Sequence, residues 1–228
     1  SSSAQTTETF TNTNSVETFT VPPGVTEITI EAWGGGGRGG SATSGVAGGG
    51  GSGAYSKSTL TGVNQGDSYD VVVGKGGSFT QFNGIQDGEQ SKVTSSSNPT
   101  NVIVLAKGGK SVATDIENGA NGGQAINGIT TGTPSNKVNG NDGGTAAPGV
   151  NSGKGGDAPN GGVGGSSVSA DSSGNPGVSP GGGGSGAASN NGKSGGNGGD
   201  GQVKITYSIA NINVNVQGDF ASTSGTEV

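Results

Sequence analysis

The chain has 228 residues, of which 53 are glycine; hydrophobic residues make up 26%, charged residues 11%, and the net charge is −6. Low hydrophobicity without high net charge is not the composition that holds a chain open by self-repulsion, and an acidic balance disfavours nucleic acid and anionic membrane as partners. Cysteine, histidine and methionine are all absent, which removes thiol and imidazole catalysis, Cys/His zinc sites and disulfides in one step.

The amino end, "SSSAQTT", is small and polar. Ser2-Ser3-Ala4 before Gln5 matches the small-residue end of a cleaved secretory signal peptide, and an ordinary polar tail reads the same way. Strands are expected over 7–10, 16–21, 25–33, 54–60, 68–73, 102–106 and 202–209, where β-branched and aromatic residues concentrate. In "VTEITIEAW", Ile28, Ile30 and Ala32 share one face, and Thr29, Glu31 and Trp33 the other. In "QVKITYS", Val203, Ile205 and Tyr207 share a face. Pro22-Pro23-Gly24 is a turn that cannot continue a central strand. No window carries a helical period, and glycine opposes helix by about 1 kcal/mol per residue. No stretch reaches the roughly 18 apolar residues that span a bilayer.

Between Phe82 and Tyr207 there is no aromatic residue, so the region from about 108 to 201 cannot build an ordinary core. Its glycines are phased instead. Gly192, Gly195, Gly198 and Gly201 stand three apart, and Gly34, Gly37 and Gly40 repeat the spacing near the amino end. Three residues per turn is the period of the polyproline II helix. Collagen, which shares it, needs long unbroken runs rich in proline, and eight prolines do not supply them. Polyglycine II satisfies the pattern: short extended helices packed side by side, with bare Cα atoms that let backbone amides bond between neighbours. A flexible Gly/Ser/Asn spacer is the competing reading; the phasing, and strands that abut the glycine runs without polar spacers, favour order.

The ordered set "VETFTVPPGVTEITIEAWGGGGRGG", "AGGGGSGAYSKSTL", "GDSYDVVVGKGG", "VIVLAKGGK" and "PGGGGSG…GGNGGDGQVKITY" resembles the glycine-rich domains of bacterial surface proteins and phage tail adhesins. It is more loosely similar to the glycine-rich region of anaplastic lymphoma kinase ectodomains. The resemblance runs from about Val16 to Tyr207. It implies an all-β fold: a β-sandwich or jelly-roll-like frame enclosing a bundle of polyglycine II helices, with Trp33, Tyr55, Tyr69 and Tyr207 packing the frame near the bundle. Gly195, Gly198 and Gly201 are expected as packed positions of the bundle itself. The many Asn, Ser and Thr residues between glycines depart from the family pattern and imply a less regular bundle.

The expected organisation is an amino-terminal extension (1–15), a glycine-rich β domain (16–207) holding the bundle at about 108–201, and a carboxy-terminal strand or the start of a further domain (208–228). Ile212, Val214 and Val216 alternate with asparagine, so either a detachable strand or a new domain fits. Strands at both ends suggest donor-strand exchange with a neighbour, and a head-to-tail contact of that kind builds a fibre.

Asp67 with Asp70, and Asp87 with Glu89, are the acid pairs to test. A two-carboxylate hydrolase needs an apolar pocket to split their pKa values, and turn carboxylates are the better reading. "NGNDGG", "GKGGDAPNGG" and "GGNGGDG" approach the calcium-binding nonapeptide repeat without matching its Asp and apolar spacing. "GGGGSG" lacks the Gly-Lys-Ser/Thr ending of a phosphate loop. No catalytic, cofactor-binding or metal site is expected, and no enzyme. The expected function is a secreted structural subunit of an extracellular fibre or surface assembly. The alternatives are an adhesin binding a glycan or receptor through loops at the bundle tip, and an ice-binding protein, for which the scattered "TTGT" gives no regular flat array.

Overall fold

The alternating segments pair into sheets, and the glycine runs between them pack on one another. A computed structural model describes residues 4–80, 84–123, 125–126 and 133–209. Its strands are β1 (Ala4–Phe10), β2 (Glu17–Thr20), β3 (Glu27–Trp33), β4 (Gly45–Val46), β5 (Tyr55–Thr61), β6 (Ser68–Val72), β7 (Phe79–Thr80), β8 (Gly84–Ile85), β9 (Ser91–Ser95), β10 (Asn98–Ala106), β11 (Ala125–Ile126), β12 (Thr133–Val138), β13 (Ala188–Ser189) and β14 (Gln202–Ile209). Among the described residues there is no helix, and so none long and apolar enough to cross a membrane.

Two five-stranded sheets form the frame, ordered β1-β14-β3-β5-β12 and β11-β10-β9-β6-β2. Every pairing within them is antiparallel. Ile28, Ile30 and Ala32 are fully buried on one face of β3, and Val203 and Ile205 on the matching face of β14. They join Phe19, Val71, Val93 and Val104 from the second sheet in one hydrophobic cluster, so the sheets share a single core. The period-two pattern of the sequence is therefore the frame's inward face. β9 escaped that reading because "SKVTS" offers one large apolar residue, Val93. β12 lies inside the span expected to be all bundle, and pairs instead with β5.

The chain leaves β3 at Trp33 and enters a lattice of non-strand segments. Residues 48–54 show how it is built. Gly50 and Gly53 donate backbone N–H bonds to the carbonyls of Gly184 and Gly181, Gly51 and Ala54 to those of Lys110 and Lys107, and Gly49 and Ser52 to those of Gly144 and Asn141, all at 2.8–3.0 Å. Carbonyls of the same segment accept from Gly40, Gly37 and Gly34, from Ala120 and Gly123, and from Gly156, while Gly153 donates to the adjoining Ala47. The partners step by three residues as the segment advances by three. A backbone that turns about a third of a circle per residue aims successive amides at different neighbours, and this segment has six of them. Its buried polar groups are thereby paired without any β-ladder.

The lattice is wider than the 108–201 span expected of it. Residues 34–54 are part of it, and 74–77 and 86–89 contribute further partners. The amino-terminal strand also departs from expectation: β1 is not reserved for a neighbour but pairs over its full length with β14 of the same chain, from Ala4 opposite Ile209 to Phe10 opposite Val203. Phe10 is its only buried apolar anchor, and Tyr207 on β14 donates a hydroxyl bond to Glu8 at 2.9 Å. The strand expected around Ile212, Val214 and Val216, and the signal-like Ser2-Ser3, lie outside the described residues.

Candidate functional site

The junction between frame and lattice is organised by Trp33 and Tyr55. The two stand opposite each other across β3 and β5, with ring centroids 5.0 Å apart and a 49° tilt. Trp33 Nε1 donates to the carbonyl of Pro159 at 2.9 Å, and Lys204 Nζ lies 5.4 Å from the indole centroid. Trp33 thus sits on the outward face of β3 yet is buried, because lattice residues cover that end of the sheet. The Tyr55 hydroxyl donates to Glu31, and burial, with that carboxylate beside it, pushes the phenol pKa well above its ordinary value.

Tyr69 and Tyr207 are not part of this junction. Gln202 faces Trp33 while Tyr207 faces Ile28, five residues further along β14, or roughly 17 Å at strand spacing. Tyr207 packs on Phe19 with ring centroids 5.7 Å apart. Burial raises the pKa of both phenols, with Glu8 adding to the effect at Tyr207 and Asp67 at Tyr69. Both belong to the frame's core cluster. The resemblance placed all four aromatics near the bundle; the strand register separates them into two pairs of different duty.

Gly195, Gly198 and Gly201 lie where a side chain cannot. A Cβ at Gly195 would stand 2.0 Å from the carbonyl oxygen of Gly39, one at Gly198 2.0 Å from that of Gly36, and one at Gly201 2.3 Å from that of Trp33. Each opposing atom is backbone, so no rotamer change relieves the clash.

Serine has a role here that composition did not reveal. Ser52 and Ser185 are fully buried, and each hydroxyl accepts a backbone N–H, from Asn141 and Asn175 respectively, both at 2.8 Å. Ser111 takes the N–H of Arg38 at 2.7 Å, and Ser152 that of Val168 at 2.9 Å. A hydroxyl standing where a carbonyl would otherwise be needed keeps the lattice closed. The serines that interrupt the glycine runs thus take part in the lattice's hydrogen bonding. The signal was legible in principle, since Ser52 and Ser185 occupy the same place in the repeated string "GGGGSG".

Aspartates perform the same task at the rim. Asp157 accepts from Gly164 N, Asp200 from Gly76 N, Asp142 from Gly122 N and Asp87 from Ser111 N, at 2.7–2.8 Å. Hydrogen bonding to Lys154 and Gly164 holds the Asp157 carboxyl below the usual range; Thr43 does the same for Asp115, and Asn190 with Lys193 for Asp171. The acid pairs singled out in the sequence are separately engaged: Asp67 with Asn64 N, Asp70 with Ser96, Asp87 with Lys110, Glu89 with Lys75 N. Among the described residues no three acids group together in a way that could hold a metal ion.

Strand-framed and glycine-filled, the chain matches the family model described as a glycine-rich domain over residues 11–208, and it belongs to that family. No curated protein matches it.

Proposed function

We propose that the chain is a secreted structural protein, a subunit of an extracellular fibre or surface assembly without catalytic activity, whose body is a polyglycine II bundle. The observation that carries this reading is residues 48–54, bonded through the backbone to six neighbouring segments. A segment so enclosed offers a protease neither a loose loop nor a free edge, and a chain without cysteine relies on no disulfide that a changing exterior could reduce. The backbone bonds that the serines and aspartates above make within the lattice support a structural reading.

Assembly through a donated amino-terminal strand finds no support in the pairing of β1 with its own β14. The outer edge of β1 remains a seven-residue strand edge, polar except at Ala4 and Phe10, the kind of surface on which a second copy adds. Self-association is therefore proposed through that edge. Light scattering and negative-stain imaging of purified protein test it. Filaments or ordered oligomers that disappear on Thr7→Pro, which leaves the inner lattice untouched, are the expected result; a monomer at all concentrations overturns the assembly reading.

A further inference from the structure

Arg38 is the only arginine among ten basic residues, and it interrupts the glycine run "GGGGRGG" where the lattice borders two grooves. It is 3% exposed. Nη1 donates to the carbonyl of Gly39 at 3.1 Å and Nη2 to Ser41 Oγ at 2.9 Å, both within its own segment, while the buried Nε has no partner. No carboxylate pairs with it among the described residues. A buried guanidinium without a counter-charge is unfavourable, and an unpaired donor adds to that cost. A residue that served only to fill space would be glycine here, like its neighbours.

Above the guanidinium lies Phe79, its ring centroid 5.9 Å from Cζ. Phe79 is 61% exposed, whereas the other described aromatics are all buried. Two adjoining grooves, of about 300 and 410 Å³, flank this pair, and Arg38, Phe79 and Ser194 line both. Ser41, Thr43 and Lys193 complete one groove, Pro176 and Asn197 the other. The nearby acids are already occupied: both Asp115 oxygens accept from Thr43, and Asp171 pairs with Lys193 at 3.4 Å.

We propose that the Arg38–Phe79 surface is a binding site for a carboxylate-bearing saccharide, a uronic-acid-type sugar, separate from any role in assembly. The planar guanidinium is the side chain best suited to a carboxylate. An exposed ring gives the C–H face of a sugar a flat apolar platform, and walls of hydroxyls and an amide meet its hydroxyl groups. A short acidic peptide offers the same carboxylate without a ring of hydroxyl groups for these walls, and it is the competitor to test. Amide-resolved NMR titration of the intact chain tests this with three probes: a glucuronate-terminated disaccharide, its methyl ester, and a short acidic peptide. The acid disaccharide shifts the amides of Arg38, Ser194 and Asn197 saturably. Esterification weakens binding by about tenfold or more, and so does Phe79→Ala, a change at an exposed position that leaves the fold intact. Arg38→Lys, which keeps the charge and loses the fork, weakens it similarly. The proposal is overturned if the acid disaccharide causes no saturable shift up to about 10 mM, where even millimolar affinity would register. It is equally overturned if ester and acid bind alike, if Phe79→Ala binds normally, or if the peptide is preferred. Filament formation does not enter this readout, so its outcome is independent of the assembly proposal.

Discussion

The frame and the lattice solve the same problem with opposite means. In the frame, side chains do the packing: Ile28, Ile30, Val203 and Ile205 are removed from water and the backbone bonds along ladders. In the lattice, the backbone is itself the packing surface, and a Cβ at Gly49 would stand 1.9 Å from the carbonyl oxygen of Lys154. Burial of apolar area drives the first at about 25 cal/mol per Å². The second gains little of that and must offset the high ordering entropy of glycine with near-complete hydrogen bonding. A core tolerates a missing methyl group better than a lattice tolerates an added one.

That contrast predicts a ranking. The largest effect is expected from Gly198→Val. Its Cβ would lie 2.0 Å from the Gly36 oxygen and 2.4 Å from the Gly36 carbonyl carbon, so segments must separate, at a cost above about 3 kcal/mol. Urea unfolding that matches the unsubstituted protein would mean the segment is not packed. Ile205→Ala, fully buried in the frame, is expected to cost about 3 kcal/mol through its cavity. Because β14 leaves the lattice at Gly201 and lies between β1 and β3, this variant should melt in one transition with the lattice; two separated transitions would break the picture of a single cooperative unit.

Smaller effects sharpen the comparison. Ser185→Ala removes a fully buried hydroxyl and leaves the part-buried Asn175 N–H without its acceptor, at roughly 1 kcal/mol. Hydrogen exchange should quicken at Asn175 while Val203 and Ile205 amides keep their protection. The smallest effect is acid-specific. The carboxyls of Asp157, Asp115 and Asp171 titrate below their ordinary range in the folded chain. Their contribution is thus complete above the unfolded value of about 3.9 and is lost as pH falls through the depressed folded values. Amides of Gly164, Thr43 and Asn190 should open to exchange in that window before the frame amides do; equal acceleration in both regions would count against the rim role.

Much of the frame was legible because alternation is a local signal. β3 and β14 could be read from "EITIEAW" and "QVKITYS", and their inward faces are the ones the pattern assigns. β9 and β12 were not legible, since a short strand of Ser, Lys and Thr owes its conformation to its neighbours rather than to its own pattern. For the binding surface, the lone arginine in a glycine run was visible, but nothing in the string placed Phe79 over it. That contact spans two segments joined only by the fold.

By itself, then, the sequence determined the all-β class, the inward faces of its strongest strands and the three-residue phase of the glycines, because each depends on side chains a few positions apart. Which segments enclose 48–54, that β1 closes on β14, that Tyr207 stands apart from Trp33, and that serines and aspartates take the lattice's spare amides were decided only in three dimensions. A glycine backbone carries no side chain to name its partner, so its register is set by the frame that holds its ends and by the few residues that are not glycine.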